Sequence, residues 1–141
     1  MATGTSLNTV FHLTHALKRR MHSHIESLGM DIAPMHIRVI KIIDKKSPCT
    51  AVDIVHFLHR DKAQVTRLIK TLIEQGLVEK APNPEDKRSQ LLIVTAKGKE
   101  RLEILNRAEA EVIESMTQNI SHEDLVQFDA VAKKIAKNLS E

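Results

Sequence analysis

Between Thr50 and Val94 the chain changes its apolar rhythm twice, and no other feature constrains the fold as much. Thr50-Ala51-Val52-Asp53 places a hydroxyl three residues ahead of an acid, the pattern in which two side chains satisfy free backbone amides at a helix start. A short helix follows, with Ile54, Val55 and Leu58 as its apolar residues. A second helix is expected almost at once, from near Asp61 to Gln75, because Val65, Leu68, Ile69, Leu72 and Ile73 recur at steps of three and four. Gly76 stands where a left-handed residue ends a helix. The rhythm then becomes that of strands. Leu77 to Lys80 and Leu91 to Val94 are short and rich in branched residues, and the two prolines and polar residues of 81–90 read as a loop. Two helices joined by a tight turn, then a hairpin with a charged tip, predict a winged helix-turn-helix: mainly α, with a small β-hairpin wing.

The flanks are helical. Leu7, Val10, Phe11, Thr14, Leu17, Met21, Ile25 and Leu28 line one face of a first helix that Gly29 stops. Ala33-Pro34 starts a second, whose buried side is Ile37, Ile40 and Ile42 or Ile43, and Ser47-Pro48 ends it. Thr95 caps a long helix reaching about Asn119, and Ser121 to Asp124 opens the last one. In that helix Leu125, Phe128, Ala132, Ile135 and Leu139 form a coiled-coil-like seam. With Leu7, Val10, Phe11 and Leu17 it offers more apolar surface than one small lobe buries, so a two-fold dimer through the terminal helices is expected. The 141 residues suit a single domain. Hydrophobic residues are 42% but aromatic ones 2%, so the core must be aliphatic. No stretch approaches the roughly 20 apolar residues that span a bilayer. Residues 1–8 lack a secretory signal's apolar run, and the single Cys49 suits a reducing compartment. A cytoplasmic protein with no membrane partner is expected.

Net charge is +3 and unevenly spread. Residues 1–46 carry seven Lys/Arg against three acids, residues 59–90 seven against five, and residues 91–141 seven against nine. The positive excess thus lies with the helix-turn-helix and what precedes it, which makes nucleic acid a fitting partner. A helix about 10–12 Å across fits a major groove about 12 Å wide. On the second helix of the motif, Lys62, Gln64, Thr66, Arg67 and Lys70 are the polar residues near the start and middle. Arg bonds guanine bidentately, Gln pairs with adenine, and Thr brings a hydroxyl and a methyl. At the hairpin tip Arg88 suits a narrow minor groove, Asp86 stands close enough to orient its guanidinium through a fork-like salt bridge, and Lys87 attracts phosphate. Thr50, at the start of the motif, joins this DNA-contacting set. A charged tip or a polar helix face taken singly is ordinary solvated surface; their order and spacing together carry the DNA reading.

Residues about 34–98 resemble the DNA-binding core of the MarR family. Asp61 to Val78, DKAQVTRLIKTLIEQGLV, is similar to its recognition helix; Pro82 to Arg88, PNPEDKR, to its wing with an Asp-x-Arg signature; and Thr95-Ala96-Lys97-Gly98 to the Thr-x-x-Gly that starts the helix after the wing. The resemblance implies one MarR-type domain over 1–141. Within it, a winged helix-turn-helix lobe is expected at 34–94, the helix-turn-helix at about 50–75 and the wing at about 77–94. Residues 5–30 and 95–141 would be the dimerisation helices of an intertwined two-fold dimer. It further implies a transcription repressor on a palindromic operator, released by a small effector or by oxidation. The family's usual pocket, where the first, second and fifth helices meet, would be lined by His15, Arg19, Met35, His36 and Arg38, suiting a small apolar anion such as an aromatic carboxylate.

Other signals point elsewhere. Four of the eight histidines lie on the first helix, and His12, His15, Arg19, His22 and Glu26 share a stripe. Imidazole and carboxylate ligate zinc, so a zinc-responsive regulator or a small metal-dependent enzyme is the alternative. The zinc-sensing members of the family have histidines on the fifth helix that this chain lacks, and the stripe reads as solvated or dimer-lining; no metal or other cofactor is expected. Cys49 reads as a packed thiol, away from the first-helix cysteine of the family's redox sensors. No Ser/His/Asp arrangement or glycine-rich phosphate loop is evident, so no catalytic residues are expected. A winged-helix module that binds only protein is the remaining rival.

Overall fold

The computed structural model describes residues 2–30 and 32–140, with side chains from residue 7 onward, so both ends of the expected 1–141 domain lie outside the described residues. In chain order the elements are α1 (Ala2–Ser27), α2 (Pro34–Lys45), α3 (Ala51–Leu58), α4 (Lys62–Glu74), β1 (Val78–Pro82), β2 (Gln90–Val94), α5 (Ala96–Met116) and α6 (His122–Leu139). They form two units: His22–Arg107, and Met1–Met21 together with Ala108–Glu141.

The core of the 22–107 unit is aliphatic. Val39, Ile40 and Ile43 of α2, Ile54 and Leu58 of α3, and Val65, Ile69 and Leu72 of α4 are buried together with Val78, Leu92 and Val94 of the hairpin and Leu102 and Leu105 of α5. Burying each such side chain contributes roughly 1.5–3 kcal/mol. All three phenylalanines, Phe11, Phe57 and Phe128, remain exposed. On α2 the expected face holds for Ile40 and Ile43, while Ile37 and Ile42 are half-buried and Val39 is fully buried. The cause is that α2 touches α3, α4 and β2 at once, so its buried arc is wider than one amphipathic stripe.

Caps set the helix boundaries. The Thr50 hydroxyl accepts the Asp53 amide at 3.3 Å while Asp53 Oδ2 accepts the Thr50 amide at 2.9 Å, a complete capping box. That amide bond, more than any other contact, holds the Asp53 carboxyl below its ordinary range. Asp61 caps α4 by accepting the Gln64 amide at 2.8 Å. Gly29 and Gly76 take the left-handed φ of 72° and 75° that ends a helix. Two other helix ends use residues the composition did not mark. His59 has φ 51° at the end of α3, and α5 stops at Met116, three residues short of the expected Asn119, which itself has φ 61°. Asn and His are the side chains most often tolerated in that conformation.

The hairpin is longer than expected, pairing Val78 with Val94 through to Pro82 with Gln90, so only 83–89 is loop. Proline is accommodated because it sits at the end of an edge strand, where no ladder amide is lost. Cys49 adds a one-residue bridge to the other side of β2: the Leu92 amide donates to the Cys49 carbonyl at 2.8 Å.

The hairpin's base meets the start of α5 at a tight junction. The Thr95 hydroxyl donates to the Gly76 carbonyl at 2.6 Å and accepts the Gly98 amide at 3.0 Å, and Lys97 Nζ donates to the Gln75 carbonyl at 3.0 Å. A Cβ on Gly98 would collide with the Leu77 carbonyl oxygen and lie 2.7 Å from Val94 Cγ1, so no side chain fits there. In the second unit Ala108 and Val112 are the buried hydrophobic residues among those described. A cavity of about 200 Å³ is lined there by Leu13, Ala16, Leu17, Arg20, Val112 and Met116, among others. The α6 seam is open: Phe128, Ile135 and Leu139 are exposed, Leu139 at 81%, and Leu125 and Ala132 are half-buried. Val126 and Val131, off the expected seam, are exposed as well. No described helix is long and apolar enough to cross a membrane. Gly98→Ala should destabilise the protein by about 1–3 kcal/mol, the usual cost of overpacking. Urea unfolding would show it, and an unshifted midpoint would mean that the junction yields.

Candidate nucleic-acid interface

Burial on α4 sorts its side chains into two faces. Val65, Ile69 and Leu72 are locked in the core, and Leu68 is half-buried. This leaves Lys62, Thr66, Arg67 and Lys70 exposed on the other side, with Gln64 half-buried at its edge. The expected DNA-facing residues of this helix therefore share one surface. Two of them have local partners. The Thr66 hydroxyl donates to the Lys62 carbonyl at 2.8 Å, which turns its methyl into the freer group, and Gln64 Oε1 accepts from Arg60 Nη1 at 3.5 Å. Arg60 was not singled out by the sequence reading. Its signal is its position, one residue ahead of the Asp61 cap, where a long cation reaches back over the first turn of α4. Thr50 behaves differently: its hydroxyl and amide are both engaged in the capping box, and the residue is half-buried.

At the wing the structure puts the Asp86 contact on the main chain. Asp86 Oδ1 accepts the Arg88 backbone amide at 2.9 Å, and no Asp86–Arg88 side-chain ion pair is present among the described residues. Asn83 works in parallel: its Oδ1 accepts the Glu85 amide at 3.0 Å and its Nδ2 donates to Ser89 Oγ at 3.1 Å. Two short polar side chains thus tie the 83–89 turn to itself, as Asx turns do. Lys87 and Arg88 are held out from this turn with exposed side chains.

The five expected ligand residues divide between the units. His15 and Arg19 lie in the 1–21 segment and are exposed. Met35 and His36 line a cavity of about 420 Å³ with Arg60, Gln64, Arg67, Leu68 and Thr71, whereas Arg38 is exposed and outside that lining. In the histidine stripe His22 Nε2 stands 3.5 Å from Glu26 Oε2, one helical turn away. No group of three or more His, Cys, Asp or Glu residues is placed to hold a metal among the described residues. Cys49 is fully buried, and burial, with the Asp53 carboxylate adding to it and Lys46 opposing, pushes its thiol up to about 11. It is therefore protonated at neutral pH and a weak nucleophile.

Known proteins resemble this chain in sequence and in fold. The model of the MarR family matches residues 32–90, which hold the α4 surface and the wing just described. The multiple antibiotic resistance protein MarR of Escherichia coli is 25% identical over 130 residues, covering 92% of this chain and 90% of its own length. The chain is similar to MarR proteins along most of its length. A second relative, the HTH-type transcriptional regulator BilQ of Clostridioides difficile, is 42% identical over 60 residues, or 43% of this chain and 40% of that one. Among solved structures, a MarR family protein from Bacillus stearothermophilus has a TM-score of 0.82 at 15% identity, covering 99% of this chain and 97% of that one. A mutant MarR from E. coli complexed with operator DNA has a TM-score of 0.77 at 24% identity, covering 92% and 93%. The fold of this chain is thus that of the MarR structures, a winged helix-turn-helix.

In this wing Asp86 fixes the backbone turn. Asp86→Ala should therefore speed native-state tryptic cleavage after Lys87 and Arg88 while leaving global stability within about 0.5 kcal/mol, as for most surface changes. An unchanged cleavage rate would show that the Asp86 bond does not hold the tip.

Proposed function

We propose that this protein is a homodimeric, sequence-specific binder of double-stranded DNA that represses transcription at a palindromic operator, with an affinity altered by a small ligand. The observation that carries the reading is the split of α4 into an aliphatic face fixed in the core and an exposed row of Lys62, Thr66, Arg67 and Lys70. Arg67 is the base reader in this proposal, because an Arg fork matches guanine in the major groove. Lys62 and Lys70 act on phosphates, which orient the protein without reading sequence. Gln64 serves at the edge of the surface. Arg88 enters the minor groove, Lys87 adds phosphate attraction, and Asp86 fixes the turn that presents both. Thr50 contributes by capping α3. The MarR relative from E. coli solved with operator DNA supports this docking.

Dimerisation explains the second unit. Leu7, Val10, Phe11, Ile113, Met116, Val126, Phe128, Val131, Ile135 and Leu139 are exposed. An apolar surface on this scale marks an interaction site, and a two-fold axis lets one such surface satisfy itself. For the ligand, the cavity beside α4 is suggestive, since Arg67 lines it and also belongs to the DNA-facing row. An anion seated against Met35, His36 and Arg67 would compete with DNA for that guanidinium. We place the site of action in the cytoplasm, the usual setting of a bacterial regulator of this class.

Selection from a random duplex pool with the purified protein would supply the operator. Arg67→Ala should then lower the ratio of selected to scrambled duplex affinity by about 1–3 kcal/mol, whereas Lys70→Ala should weaken both alike. An unchanged ratio in Arg67→Ala removes its reading role, and failure to retain any duplex at low salt removes the DNA function. In sedimentation the protein should run as two chains at micromolar concentration; a folded single chain there would contradict the dimer.

A further inference from the structure

Gln64 carries the carboxamide of the DNA-facing set: one end of its side chain accepts hydrogen bonds and the other donates them. Which end meets a base decides which base is recognised. Adenine shows the major groove a donor, N6, beside an acceptor, N7, and matches glutamine only when both ends of the carboxamide are free. Guanine shows two acceptors, N7 and O6, and asks for donors alone. In the structure the accepting end is taken: Arg60 Nη1 donates to Gln64 Oε1 at 3.5 Å. The backbone beneath this contact is fixed, because Asp61 caps α4 by accepting the Gln64 amide at 2.8 Å. Arg67 follows three residues later on α4, and both arginines line the cavity of about 420 Å³ together with Gln64 and the half-buried Met35 and Leu68. Guanidinium groups ahead of and behind the carboxamide draw its carbonyl end and repel its amino end, since side-chain dipoles orient in the local field. Gln64 is itself half-buried, which limits the competition of water for Oε1.

We propose that Arg60 is a positioning residue that holds Gln64 as a donor, and that Gln64 therefore selects guanine rather than adenine. The inference deepens the DNA reading proposed above and rests on it. To accept from adenine N6, Oε1 has to leave Arg60 and forfeit a bond to a charged donor, the stronger kind of hydrogen bond. To donate to guanine, Nε2 gives up nothing. A carboxamide that keeps its Arg60 bond and still faces adenine sets its own N–H against the N6–H of the base, donor against donor. The rest of the α4 surface has the same bias, because Lys62, Arg67 and Lys70 carry donors and no acceptor. The surface as a whole complements a base edge made of acceptors. Arg60 acts only through Gln64; it supplies the constraint, and the Gln64 amino group makes the contact. Residue type alone leaves both bases open to a glutamine, and the neighbouring guanidinium closes one of them.

Selection from a random duplex pool, run with the full-length parent and with Gln64→Ala, locates the base pair that Gln64 reads, as the position whose preference the variant loses. The parent should select guanine there. In competition between two duplexes that differ only at that pair, the parent should favour guanine over adenine at least about threefold, toward the lower end of what one hydrogen bond contributes. In Arg60→Ala that preference should disappear or turn to adenine, and Arg60→Lys, which keeps a charged donor, should retain part of it. Melting curves that match the parent's would show that each variant is folded. Adenine selected by the parent, or no position whose preference depends on Gln64, overturns the proposal. So does an Arg60→Ala variant that binds both duplexes more weakly by the same factor, which would make Arg60 a phosphate contact. If no duplex is retained at low salt, the DNA function fails and the inference falls with it; a bound duplex whose guanine-to-adenine ratio ignores Arg60 sinks the inference alone.

Discussion

The close approach of α5 to the Leu77 carbonyl is the constraint on which the rest of the 22–107 unit depends. It is possible because residue 98 has no side chain. Thr95 and Lys97 complete the contact by taking the carbonyls of Gly76 and Gln75, which the end of α4 leaves without helical partners. One short segment therefore closes α4, anchors the base of the hairpin and starts α5. A shift of α5 cannot occur without a change at the end of the helix that carries Arg67 and Lys70. The fold gives the regulator a mechanical link between the two at a position remote from the exposed cations.

What was legible in the sequence was mostly local. Thr50-Ala51-Val52-Asp53 announces a helix start because its bonds are made within four residues, and the structure contains them. Gly29 and Gly76 mark helix ends because a left-handed φ is costly for other residues. Periodicity assigned the two faces of α4 for the same reason, since a single helix decides which residues share a side. Long-range geometry was not legible. The one-residue bridge from Cys49 to Leu92 joins positions more than 40 apart and leaves no repeat or spacing behind. Val39 is buried only because α2 has three neighbours, and nothing in its own sequence counts them.

The site shows the same boundary. Residue types and spacing pointed to Arg67, Lys70, Lys87 and Arg88, and the structure leaves these four exposed. They could not say that Asp86 would spend its carboxylate on a backbone amide, because an Asp two residues before an Arg fits a side-chain pair equally well. Nor did they reveal Arg60 or the cavity it lines beside α4, which is assembled from separate elements. Chemistry carried by one segment can be read from that segment; chemistry assembled from three needs the fold.

Cys49 has a use that does not depend on any reactivity of its own. It is the single thiol of the chain, fully buried, and its carbonyl accepts the amide of Leu92 in the returning strand of the wing. A reagent can reach the sulfur only when this packing opens. The rate at which Cys49 is labelled therefore counts openings of the wing's root, in the way that amide exchange counts local unfolding. The protein carries its own clock for the motion of the hairpin that holds Lys87 and Arg88.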